Sequence, residues 1–216
     1  MAASLQPQIV HRSGHQRMAF IVLKTHVYKE ADLIVVGLTS GGRKERFLAR
    51  AALKSQKRFG GGLLEPTRYI EALVKVREGR WSDLVEARML RDFESLRSRY
   101  ERMQAAFDLL DWVQRLLPDG GGDFVDTFHL LGRFLEVLAQ SDQPAQVLRM
   151  SQVKLLALQG VLPPDPDWDP WLRTALADHA SVPANLTQER WIDAELKRMY
   201  HDYAGIRRME IDQKTP

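Results

Sequence analysis

The chain has 216 residues, 44% apolar and 27% charged, with no cysteine. That length supports one large or two small packed domains, the composition is that of an ordinary globular protein, and the missing thiols exclude disulfides, thiol catalysis and cysteine-containing zinc sites. The formal charge of +3 hides a division, because residues 1–100 carry 19 Lys and Arg against 10 Asp and Glu, whereas residues 101–216 carry 12 against 18.

Residues 1–17 are polar and unpatterned, with Pro7 and Gly14, and are read as a flexible arm. They lack the layout of a secretory signal, and no apolar run approaches the ~20 residues of a membrane-spanning helix, so a cytoplasmic protein without membrane contact is expected. From Met18 onward, short apolar runs alternate with turn signals, the pattern of consecutive strands. The expected strands are Met18–Thr25, Leu33–Thr39, Arg43–Ala51, Thr67–Arg77 and about Arg80–Leu90. Ser40-Gly41-Gly42 and Glu78-Gly79 supply turns. In the third strand Lys44, Arg46 and Arg50 share one face and Phe47, Ala49 and Ala51 the other. Ala52–Pro66, with Gly60, Gly61 and Gly62, is expected to be irregular. Five strands in about seventy residues predict a small barrel of OB type over residues 18–92.

Helical spacing then takes over, giving an α-helical domain over residues 93–216 and an α+β fold class for the whole. Phe93, Leu96, Tyr100, Met103, Phe107, Leu110 and Val113 form one stripe, ended by Pro118 to Gly122. Asp123 is placed to cap a second helix with Phe124, Phe128, Leu131, Leu135 and Leu138 buried. Pro144 opens a third, which Gly160 ends. Two further helices are expected at about Pro170–Ala180 and Leu186–Ile206.

The chemistry concentrates in the basic stretch Arg43, Lys44, Arg46, Arg50, Lys54, Lys57 and Arg58, opposed only by Glu45. With Phe59 and Tyr69 as stacking rings and Lys24, Lys75 and Arg77 as further cations, it describes a groove that tracks phosphates without reading sequence. A solvated basic surface accounts for the same charges. Asp165, Asp167 and Asp169 fail as a calcium loop, since the sixth position is Pro170 and the twelfth Leu176. His11 and His15 lack the glutamate of a zinc-protease helix, and His129 is read as structural. Neither a nucleophile motif nor a Walker Gly-Lys-Ser/Thr sequence occurs, so no enzyme, no metal and no cofactor is expected.

Three stretches together resemble the RecO family of bacterial recombination mediators. They are Ala19-Phe20-Ile21-Val22-Leu23-Lys24 followed by Tyr28-Lys29-Glu30-Ala31-Asp32, Leu48-Ala49-Arg50-Ala51 leading to Phe59-Gly60-Gly61-Gly62-Leu63, and Arg149 with Leu155-Leu156 and Gly160. The resemblance runs from about Phe20 to Pro163. It implies a nucleoid-associated protein that binds single- and double-stranded DNA, anneals strands, works with RecR, and helps RecA load onto strands coated by single-stranded-DNA-binding protein (SSB). It also matches Arg149 to a basic residue that receives the SSB C-terminal tail, on a helix that presents Met150, Lys154, Leu155 and Leu158. The resemblance is incomplete: the four-cysteine zinc ribbon of many members is replaced by Val161–Pro170, and the glycine usual after the strand-three arginine is Ala51. An adaptor whose basic face docks an acidic protein, and a nuclease on the same scaffold, are the other readings; the nuclease lacks paired carboxylates at a groove.

Overall fold

The computed structural model describes residues 14–77, 79, 81–182, 190, 193–194 and 196–202. The chain divides into two compact units, Met1–Asp92 with Asp119–Asp123, and Phe93–Pro118 with Phe124–Pro216. The first unit holds β1 (His15–Val27), β2 (Leu33–Thr39), β3 (Lys44–Ala49), β4 (Tyr69–Lys75) and β5 (Ser82–Arg91). They close in the order β1-β2-β3-β5-β4 back to β1, with every pair antiparallel except β3 with β5. This five-stranded ring has the OB-type form expected from the spacing of the strands. β1 serves two neighbours: His15–Ile21 pair with β4 and Phe20–Val27 with β2, across an irregularity between Val22 and Lys24 that bends the strand. The strand therefore begins inside the segment read as a flexible arm, because His15, Gln16 and Arg17 find backbone partners in Lys75, Val74 and Leu73. Residues 1–13 lie outside the described ones.

Alternating residues of the strands fill the ring. Phe20, Val22, Val35, Phe47, Ile70, Ala72, Val74 and Leu84 form its core, with the Phe20 and Phe47 rings stacked 4.8 Å apart at 21°. A Cβ at Gly37 would lie 2.4 Å from the Phe20 ring, so the mid-strand glycine is required by close packing. Ala52–Pro66 is more regular than its glycines suggest. A 3-10 turn (Ala52–Lys54) leads into the one-turn helix α1 (Gln56–Phe59), and Ala52, Phe59, Leu63 and Leu64 join the core. Burial of these four apolar side chains outweighs the local glycine content, each large one contributing roughly 1.5–3 kcal/mol.

In the second unit a 3-10 turn (Glu94–Ser98) precedes α2 (Tyr100–Leu116), followed by α3 (Val125–Leu138), α4 (Pro144–Leu158) and α5 (Asp169–Arg173). The predicted stripe is borne out at Leu96, Leu110 and Val113, which are buried, and fails at Tyr100, 76% exposed, and Phe107, which also faces water; Ala105, Ala106, Leu109, Trp112 and Leu116 complete the buried face. Small alanines let neighbouring helices approach, and Ala105 and Ala106 take packed positions that Tyr100 and Phe107 do not. Arg102 sits in this buried face and donates to the carbonyls of Ala139 (2.8 Å) and Ser141 (2.9 Å), satisfying the C-terminal end of α3. Phe124 holds the N-cap position of α3, one residue after Asp123, and His129 faces solvent. Beyond α5 the chain forms a 3-10 helix (Leu176–Ser181) in place of a longer α-helix, and most of Leu186–Ile206 lies outside the described residues. No described helix is long and apolar enough to cross a membrane.

Ala51 holds φ 51° and ψ 29°, the left-handed region, with its N–H donating to the Asp32 carboxylate at 2.8 Å. A side chain there costs about 1 kcal/mol that glycine avoids. Ala51→Gly is expected to stabilise the barrel by about 0.5–1 kcal/mol in urea melts; an unchanged or lowered midpoint would show that the turn carries no such strain.

Candidate nucleic-acid interface

The basic stretch resolves into two groups set by their acidic partners. The first gathers around Asp119 and Gly120. Lys44 Nζ lies 2.9 Å from one Asp119 oxygen and Arg46 Nη2 2.7 Å from the other, while Arg43 Nη2 donates to the Gly120 carbonyl at 2.8 Å. The Gly120 N–H donates in turn to the Lys44 carbonyl at 2.8 Å, so residues 119–120 lie along the start of β3. Lys44 is only 5% exposed as a result, and its assignment as a surface phosphate contact is corrected: its charge is neutralised within the unit. Arg43 also pairs with Glu45 at 3.3 Å; partial burial raises the Glu45 pKa, and Arg43 opposes that rise. Arg43, Arg46, Met18, Val76, Trp81 and Asp119 line a cleft of about 740 Å³.

The second group forms around Asp83. Arg50 Nε lies 3.3 Å and Arg77 Nε 2.6 Å from its two oxygens. Arg58 donates to the Arg50 carbonyl (2.9 Å) and the Ser55 hydroxyl (2.9 Å), and its guanidinium packs 5.0 Å from the Phe59 ring centroid. Arg50 keeps 60% of its side chain in solvent, and Lys54 and Lys57 are exposed beside it. These three are accessible cations of the second group, as Arg43 and Arg46, with 55% and 42% of their side chains in solvent, are of the first.

Four other predicted residues lie elsewhere. Phe59 is 6% exposed inside the barrel core, which corrects its role as a stacking ring: α1 turns it inward with Leu63 and Leu64. Tyr69 is half-buried on the outer face of β4 beside Glu71 and Arg91; burial first, then the Glu71 charge, raises its pKa, so it remains a neutral phenol. Lys75 ends the same strand, six residues and about 20 Å away, and Lys24 is exposed on β1. Glu71 itself is held low by hydrogen bonding to Arg88, with Arg17 adding to the effect, so negative charge lies between Tyr69 and Lys75.

The group predicted for tail binding on α4 also divides. Met150 and Leu155 are fully buried and are corrected to core residues, while Leu158 is 45% exposed. The Arg149 guanidinium binds both Asp193 oxygens, at 2.6 and 3.1 Å, and Lys154 Nζ donates to the Leu172 carbonyl at 2.5 Å, with burial lowering its pKa. A groove of about 750 Å³ runs beside Arg149, walled by Tyr100, Pro144, Leu148 and Val182. No cluster of three or more metal-ligating side chains occurs among the described residues. Sequence reasoning missed Asp83, Asp119, Tyr28 and Trp81; the aromatics carried a usable signal, since each borders a turn flanked by strands.

Residues 15–93 match the family described as Recombination protein O N terminal. Among curated relatives, the DNA repair protein RecO of Geobacter sulfurreducens is 35% identical over 144 residues, covering 67% of this chain and 58% of that protein. The DNA repair protein RecO of Nocardioides sp. is 33% identical over 146 residues, 66% of this chain and 59% of its own. That of Syntrophus aciditrophicus is 32% identical over 157 residues, covering 70% and 58%. The chain thus spans just under three fifths of the length of these relatives.

Asp119 neutralises Lys44 and the exposed Arg46. Asp119→Asn is expected to raise the salt needed to elute the protein from heparin by more than Glu86→Gln, which removes an equal charge from the exposed side of β5. Equal shifts for the two variants would show that Asp119 masks nothing.

Proposed function

The chain belongs to the RecO family, and on that premise we propose that it is a DNA repair protein whose barrel binds DNA through its phosphates. The observation that carries this reading is the exposure of Arg50, Lys54 and Lys57 together at one rim of an OB-type ring. Such cations neutralise phosphate wherever the backbone passes, and they read no base edge, so binding is independent of sequence. Lowering the repulsion between two strands is enough for complementary sequences to meet and pair, and nothing in that step consumes a nucleotide. The protein therefore anneals DNA and is not an enzyme. In the cell it acts with RecR and assists RecA loading onto SSB-coated single strands. The SSB tail enters the groove beside Arg149, where its terminal carboxylate exchanges with Asp193.

A second reading is favoured by the Asp119 contacts, because a face that already accepts a carboxylate suits an acidic protein partner as well as a phosphate. One titration separates the two. Fluorescence anisotropy of labelled single-stranded DNA across a salt series is expected to give a log–log slope of roughly −0.7 per phosphate contact. Lys54→Glu with Lys57→Glu, both exposed positions, should weaken binding and flatten the slope by about 1.4. Absence of DNA binding at low salt would favour the adaptor, and magnesium-dependent degradation of the probe would overturn both readings. An unchanged slope would move the DNA site away from this rim.

A further inference from the structure

Two exposed aromatic side chains meet at loops of the barrel, and one of them, Trp81, also lines the cleft shared by Arg43, Arg46 and Asp119. Tyr28 follows the end of β1 and Trp81 immediately precedes β5; their ring centroids are 5.7 Å apart, edge to face at 79°. Tyr28 is 43% and Trp81 40% exposed, whereas Trp112, Trp168 and Trp171 are buried. Neither ring belongs to the barrel core. The edge-to-face pairing steadies both rings while leaving a large share of their surface in water.

Cations flank the pair. Lys29 Nζ lies 5.5 Å from the Tyr28 centroid. The β1–β2 loop is tied to the segment after β3 by Leu53 N–H donating to Ala31 (3.1 Å) and Ala51 N–H donating to Asp32 (2.8 Å), which brings the Arg50–Lys54 stretch alongside it. On the other side Trp81 adjoins Ser82 and Asp83, the acid that fixes Arg50 and Arg77. Flat apolar surface between backbone-binding cations is the arrangement that single-stranded nucleic acid requires, with rings for the bases and charges for the phosphates. In OB-type barrels the two loops concerned, β1–β2 and β4–β5, border the ligand face.

We propose that Tyr28 and Trp81 form a stacking platform for an unpaired base of single-stranded DNA, giving the barrel a preference for single strands over duplex. This deepens the DNA-binding reading and rests on it. In a duplex both faces of each interior base are covered by neighbours, so only the phosphates remain to be bound. An unpaired base offers its face to a ring, and the platform adds affinity for that form alone.

The test uses the full chain with a labelled oligo-dT and a duplex of equal length, at one salt concentration. Trp81→Ala and Tyr28→Ala are each expected to lower oligo-dT affinity roughly tenfold while leaving duplex affinity unchanged, which also certifies that the barrel is folded. Trp81→Phe, which keeps a ring, should retain most of the oligo-dT affinity. Tryptophan emission of the wild type should fall on adding oligo-dT, and by less in Trp81→Phe. Unchanged oligo-dT affinity in Trp81→Ala, or an equal loss on both DNAs, would overturn the platform while leaving DNA binding in place. If the wild type binds neither DNA, the DNA-binding reading itself fails.

Discussion

Closure of the barrel depends on one short seam. β3 and β5 run parallel and share only two registered pairs, Phe47 with Ser82 and Leu48 with Asp83. Parallel pairing is the weaker kind, and two registered pairs hold little by themselves. Asp83 sits at that seam, buried, and takes Arg50 from beyond the end of β3 and Arg77 from beyond the end of β4. Because those arginines are partly in water, each pair contributes no more than about 1 kcal/mol. Its larger effect is geometric: the carboxylate that joins three strand ends also fixes where two cations of the rim stand.

The architecture was legible in the sequence because it rests on periodicity. Strand spacing, the turn glycines and the switch to helical stripes after residue 92 all appear in the observed elements. What could not be read was long-range pairing. Asp119 lies more than seventy positions from Lys44, and no local pattern announces that it neutralises the strand's first cation. Phe59 illustrates the converse error. In a glycine-rich basic loop it reads as an exposed ring, yet one helical turn directs it into the core, where burial of an aromatic outweighs the loop's composition. On α2, Ala105 and Ala106 join Leu109, Leu110, Trp112 and Val113 on the packed face while Tyr100 and Phe107 stay in water, a choice that apolar spacing alone does not make.

Charge is distributed differently in the two units. In the barrel unit acids hold some cations and leave Lys54 and Lys57 projecting. In the helical unit the conspicuous cations serve packing. Arg102 closes the end of α3 with its guanidinium, Arg149 is clasped by Asp193, and Lys154 rests against a backbone carbonyl. A basic residue on a helix is thus a poor guide to an anion site unless its carbonyl and carboxylate neighbours are known. Any ligand of Arg149 must outcompete a bidentate partner already in place.

The double duty of β1 bears on how the polypeptide acquires its shape during synthesis. Its first half pairs with β4 and its second with β2, and the ring is complete only when β5 has joined both β3 and β4. A nascent chain that has emerged only through β3 therefore exposes the first half of β1 and one side of β3 as unpaired edges, with Phe20 and Phe47 incompletely enclosed. Such edges are templates for association with other chains, and distant pairings of this kind form slowly. Until Arg91 clears the ribosome the barrel cannot seal, so this interval is when the growing chain is most exposed to aggregation and most in need of a chaperone.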